Sequence, residues 1–129
     1  MKLSGRVGIV TGGAKGLGKA IATELMKEGA SIAIFDLNLA EAEATARELS
    51  AYGVAKAYRC DVSKSAEVDA AFAQVVQDFG KLDLLVNNAG VSFVGPHIKD
   101  VTDEVWDISI GVMQTGVFYC MRAATKYML

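Results

Sequence analysis

The stretch Arg6-Val7-Gly8-Ile9-Val10-Thr11-Gly12-Gly13-Ala14-Lys15-Gly16-Leu17-Gly18-Lys19-Ala20 constrains this chain more than any other. It joins an apolar strand to the start of a helix through a turn rich in glycine. Glycine in that turn lets backbone N–H groups approach an anion with no Cβ in the way. The helix beyond it offers unpaired N–H groups and a partial positive charge at its first turn. Strand, glycine turn and helix in that order suit a nucleotide phosphate, and the stretch is read as a dinucleotide site.

The rest of the chain repeats the alternation. Strands are expected at 6–11, 31–36, 55–60 and 82–87, and helices at 16–29, 38–52, 64–79 and about 102–127. The first, second and fourth strands are near-continuous apolar runs, as parallel strands covered on both faces are. Gly29 and Gly53 follow the first two helices as stop signals. Ser63 is the expected N-cap of the third, with Glu67 in its first turn, and Thr102 opens the fourth. The alternation predicts an α/β fold. Specifically, it predicts a Rossmann-like doubly wound parallel sheet of about four strands in the order 3-2-1-4, with helices on both faces. Residues 1–129 are read as one dinucleotide-binding domain, with its ligand crevice at the carboxyl ends of the first and fourth strands.

Composition narrows the partners. With 52% hydrophobic and 22% charged residues the chain is an ordered globular one. A net charge of −2 and scattered Lys and Arg argue against nucleic acid. No apolar run reaches the ~18 residues of a membrane span, and the N-terminus lacks a signal-peptide pattern. Cys60 and Cys120 are read as buried thiols of a reducing compartment, so the expected location is cytoplasmic. A single histidine, His97, and no CxxC pair leave no expected metal site.

The glycine turn has the spacing G-x-x-x-G-x-G, at Gly12, Gly16 and Gly18. Alone it is a weak signal, since glycines also build ordinary turns. Asp36 strengthens it, because it ends the second strand at the place where a carboxylate accepts both hydroxyls of an adenosine ribose. The same carboxylate repels a 2′-phosphate, which favours NAD over NADP. Lys15 pulls the other way, but no basic residue follows Asp36 at Leu37, Asn38 or Leu39.

With these residues in place the sequence resembles the short-chain dehydrogenase/reductase family. Asp61-Val62 follows the third strand, where the family contacts adenine. Asn87-Asn88-Ala89-Gly90 follows the fourth, where the family lines the cofactor crevice. Trp106 through Val117-Phe118 resembles its long helix beyond. The resemblance implies cofactor-binding roles for Gly12, Lys15, Gly16, Leu17, Gly18, Asp36, Leu37, Asp61, Val62, Asn87, Asn88, Ala89 and Gly90. It implies hydride transfer between a nicotinamide and an alcohol or carbonyl in complete members. It covers only the first half of a typical member. The family's catalytic Ser, Tyr and Lys belong to the other half, so no catalytic residue is assigned and the chain alone is expected not to turn over. Met113, seven residues after Trp106, stands where the family has an Asn that completes a proton relay. A thioether lacks the amide's donors.

Other candidates read as bland. Tyr52 and Lys56 match Tyr-x-x-x-Lys, but Gly53 interrupts the helix that the pairing needs. His97, after Pro96, is read as a solvated loop residue, and Ser92 as a pocket wall with no base beside it. Met113, Met121, Met128, Val117 and Phe118 are read as core or interface, and Glu41, Glu43 and Glu48 as a solvated helix face. Leu82, Leu84, Leu85 and Val86 are expected to form an exposed apolar edge. That edge, or Trp106, Ile110, Val117 and Met121 of the fourth helix, predicts a homo-oligomer. Two alternatives stay open: a non-catalytic nucleotide- or partner-binding module on the same fold, and a flavodoxin-like phosphate binder.

Overall fold

The computed structural model describes residues 1–92 and 97–129. Pro96, cited above beside His97, lies outside the described residues. Four parallel strands, β1 (Val7–Thr11), β2 (Ser31–Asp36), β3 (Ala55–Arg59) and β4 (Leu84–Val86), pair in the order β3-β2-β1-β4. Val10 of β1 stands level with Ile34 of β2 and Val86 of β4, and Ile34 with Ala57 of β3. The carboxyl ends of all four strands therefore open on one side of the sheet.

Alternation along the strands divides the core in two. Val10, Ile32 and Ile34 pack with Ala22 and Met26 of α1 (Gly16–Lys27) and with Ala42, Ala46 and Leu49 of α2 (Leu39–Leu49). Ile9, Ala33 and Phe35 pack on the other face with Val68, Phe72 and Val75 of α3 (Ser65–Phe79) and with Cys120, Ala123 and Ala124 of α5 (Gly116–Met128). Phe35 and Phe72 meet edge to face at 5.5 Å, a favourable aromatic geometry. Both faces of the sheet are thus covered by helices, as the doubly wound reading requires.

Several boundaries differ from the sequence reading. Ser63 does not cap α3: Lys64 holds that position without a side-chain bond. The helix starts one residue later than expected, at Ser65, and the Ser63 hydroxyl donates to Asp61 Oδ1 at 2.6 Å in the turn before it. The long fourth helix is three pieces: α4 (Asp103–Ile110), a wide π turn over Gly111–Thr115, and α5. Thr102 does cap α4, accepting from the Val105 N–H at 3.2 Å. The second helix ends at Leu49, short of the expected 52. Leu82 is buried beneath α3 rather than exposed at the β4 edge, and Leu84, Leu85 and Val86 are half-buried. Met113, Phe118, Met121 and Met128 are not core. They are exposed, because Gly116, Cys120, Ala123 and Ala124 form the inward face of α5.

β4 holds to β1 by only three paired residues and by Asp83 just before it. The Asp83 carboxylate accepts from the Val7 N–H at 2.9 Å and pairs with Lys81 at 3.1 Å and Arg6 at 3.5 Å. The Val7 bond first, and then these cations, hold its carboxyl below the usual carboxylate range. A depressed folded pKa means a contribution to stability that is full above the unfolded value, about 4, and lost as pH falls through the folded one. Asp83→Asn is expected to lower stability at pH 7. Its deficit against the wild type should shrink below about pH 4, as read from urea midpoints across pH.

Candidate functional site

Thr11, the last residue of β1, seats the glycine turn. Its side chain is 1% exposed. The hydroxyl Oγ1 accepts from the backbone N–H of Asn88 at 3.0 Å and of Ala89 at 2.9 Å, and donates to the Val86 carbonyl at 3.4 Å. The Asn88 side chain returns the contact, donating from Nδ2 to the Gly12 carbonyl at 3.1 Å. One threonine and one asparagine thus lock the turn after β1 to the turn after β4. Asn87 makes no such side-chain bond among the described residues.

The glycines divide by task. A Cβ on Gly18 would overlap the Gly12 carbonyl oxygen, so Gly18 lets α1 pack tightly on its own turn. Gly16 has φ +59° and open space where a Cβ would stand. That backbone excludes most side chains while leaving the helix N-terminus clear. The first turn of α1 carries no acidic residue, so nothing of like charge opposes an anion there. Leu17, in the same turn, is exposed. Thr45 of α2, 4% exposed, braces the turn from below by donating its hydroxyl to the Ala14 carbonyl.

Asp36 stands at the end of β2, facing the turn. Its Oδ2 accepts from the Ala14 N–H at 3.2 Å and its Oδ1 from the Asn38 N–H at 3.1 Å. A carboxylate has about four acceptor sites, so two bonds leave capacity for a diol. Asp61 follows β3. Its Oδ1 accepts from the Ser63 N–H at 3.0 Å and hydroxyl at 2.6 Å, and no described residue donates to Oδ2.

These groups line a cleft of about 310 Å³ at the carboxyl ends of the strands. Of the residues singled out in the sequence, Gly12, Lys15, Asp36, Leu37, Asp61, Val62, Asn88, Ala89 and Gly90 line it. Gly16, Leu17 and Gly18 form the adjoining helix start, and Asn87 lines a small neighbouring void with Val117. Phe35, Cys60, Val91 and Val112 complete the wall and were not foreseen. Period-2 alternation places Phe35 in the core, and it is fully buried there, behind the cleft. Burial pushes the Cys60 thiol up to about 12 and the Cys120 thiol up to about 11. Cys60 is therefore a neutral, apolar wall at pH 7.

The remaining candidates lie elsewhere. Tyr52 sits in the turn after α2 with Lys27 over its ring at 5.6 Å, while Lys56 lies on β3 with its ammonium 5.5 Å from the Phe79 ring. They do not form a pair. His97 and Ser92 are exposed and do not line the cleft. Met113 lies in the π turn, 54% exposed. Glu41, Glu43 and Glu48 are exposed on α2, where Glu41 also pairs with Lys15 at 3.9 Å and Glu48 with Lys19 at 2.6 Å. Among the described residues no three side chains are grouped to hold a metal, and no helix is long and apolar enough to cross a membrane.

The short chain dehydrogenase family model matches residues 6–129. A D-threitol dehydrogenase of Mycolicibacterium smegmatis is 40% identical over 129 residues, covering 99% of this chain and 49% of its own length. A crystal structure of an NAD+-bound xylitol dehydrogenase superposes with TM-score 0.94 at 33% identity, covering 99% of this chain and 50% of that one. A Pseudomonas aeruginosa RhlG/NADP active-site complex superposes with TM-score 0.91 at 32% identity, covering 98% and 49%. The chain spans about half the length of the curated relatives it matches.

Replacing Thr11 by valine keeps the shape and removes the hydroxyl. Each buried N–H left without an acceptor costs about 1–3 kcal/mol. Thr11→Val is therefore expected to lower the urea midpoint, and Thr11→Ser to retain most of it. An unchanged midpoint in Thr11→Val would mean that Asn88 and Ala89 find other acceptors.

Proposed function

The chain belongs to the short-chain dehydrogenase family, and from that premise we propose that residues 1–129 form the dinucleotide-binding domain of an oxidoreductase, with NAD(H) preferred over NADP(H). The observation that carries the reading is Asp36: a carboxylate with spare acceptor capacity, in the cleft wall beside the glycine turn. Gly12, Lys15, Gly16, Leu17 and Gly18 would hold the diphosphate through backbone N–H groups. Asp36 and Leu37 would hold the adenosine ribose, Asp61 and Val62 the adenine, and Asn87, Asn88, Ala89 and Gly90 the continuation of the crevice. The fit rests on the open backbone at Gly16, the absence of an acid in the first turn of α1, and an apolar wall built by Phe35, Val62 and Val112.

A bound nicotinamide supplies hydride transfer. This chain's own residues supply binding and exclusion of water. Met113 has no proton to move, and His97 and Ser92 stand away from the cleft. Turnover is therefore not expected from these residues alone. The non-catalytic module remains the second reading, favoured by the same Met113.

The reading extends to a cytoplasmic location and to self-association. The first is supported by two buried free thiols. The second is supported by Trp106, Phe118 and Met121, each more than half exposed on α4 and α5.

NADH fluorescence titration is the direct test of binding. Saturable quenching or energy transfer is expected, with Asp36→Ala weakening it at least about ten-fold through loss of charged hydrogen bonds. No binding at millimolar NADH overturns the reading. Sedimentation at micromolar concentration is expected to give a mass above the 13.6 kDa of one chain. Phe118→Glu should reduce that mass, and a wild-type single-chain mass overturns the self-association.

A further inference from the structure

Among the described residues lining the cleft, Lys15 is the one cation, against the two carboxylates Asp36 and Asp61. Its ammonium lies 3.9 Å from Glu41 Oε2, and Glu41 is not part of the cleft wall. Glu41 occupies the third position of α2, where the side chain of a glutamate commonly turns back to accept the N–H of the capping residue. Here that N–H, from Asn38, is already taken by Asp36 Oδ1 at 3.1 Å. Asn38 completes its half of the cap by accepting the Glu41 N–H at 3.1 Å. The glutamate side chain is left without its usual partner and reaches Lys15 instead. Asp36, Asn38, Glu41, Lys15 and Ala14 thus form a ring, closed by the Ala14 N–H on Asp36 Oδ2 at 3.2 Å.

We infer that Glu41 tunes the specificity of this site through Lys15, by pairing with its exposed ammonium beside the first turn of α2. A dinucleotide bearing a 2′-phosphate would need that cation to offset the repulsion from Asp36, and would have to draw it from Glu41. Discrimination against the phosphorylated cofactor is then shared between a carboxylate that touches the ribose and one that never does. This inference rests on the dinucleotide reading above.

A double-mutant cycle at Lys15 and Glu41 tests it. NADPH binding is measured by fluorescence in an Asp36→Asn background, which weakens the repulsion and brings that cofactor into range. NADH binding is measured beside it. Glu41→Gln is expected to tighten NADPH about three-fold, the size of an exposed ion pair, and to leave NADH nearly unchanged. In a Lys15→Met background the same substitution should have no effect on NADPH. An equal shift for both cofactors overturns the inference, as does an effect that persists without Lys15 or NADPH binding that Glu41→Gln does not improve. A wild-type chain that binds neither cofactor overturns the dinucleotide reading itself. Wild-type NADH binding with no Glu41 effect overturns only the role of Glu41.

Discussion

The structure turns on a hydroxyl. Thr11 Oγ1 lies where β1 ends and both neighbouring loops begin, and it holds two backbone N–H groups of the β4 turn at about 3 Å. A polar atom buried this deeply has to be paired, and its partners belong to the loop opposite. The cleft exists because these two turns are tied at their bases and diverge above. The apolar layers below explain why the strands lie side by side. They do not explain the separation of the walls, which the Thr11 and Asn88 bonds set.

Asp36 has a double life in this arrangement. It closes the glycine turn through Ala14 and starts α2 through Asn38. The carboxylate proposed to meet a ribose is therefore already oriented by the backbone on both sides. Little side-chain entropy remains to be lost when a ligand arrives. The same bonds release Glu41 from its capping role, so one carboxylate's position decides what the next one is free to do.

Much of this was legible from residue order. Apolar runs at β1, β2 and β4 and the helices between them follow from periodicity, and strand order 3-2-1-4 follows from reading Gly12 to Asp36 as a dinucleotide-binding unit, since right-handed crossovers alone permit other orders. Asp36, Asp61 and Asn88 could be placed because each follows a strand at the end where such folds open. What escaped were features decided by partners distant in sequence. Thr45 reads as an ordinary helical residue until it meets the Ala14 carbonyl from 31 positions away. Ser63 reads as a cap, but α3 starts one residue later and the serine instead closes the turn with Asp61. Leu82 reads as part of an edge strand but is drawn under Val75 and Phe72. The π turn at Gly111–Thr115 lies inside a stretch of uniform helical periodicity. It brings Gly116 so close to Val62 that a Cβ there would stand 2.8 Å from Val62 Cγ2, a contact no local pattern announces.

The two walls of the cleft differ in how far the chain must travel to build them. β1, α1 and β2 are consecutive, so the wall carrying the glycine turn and Asp36 assembles from neighbours. The opposite wall depends on three paired residues of β4 and β1 and on bonds such as Asn88 to Gly12, which close a loop of 76 residues. β4 is short, half-buried and paired with β1 alone, and sparsely packed segments of that kind are among the first to open in the native state. Amide exchange should then be unequal across the cleft, slow in β2 and faster in β4. A ligand reaching from Gly16 to Gly90 would act as a staple across the weaker seam, stabilising the fold by mass action on the closed form alone.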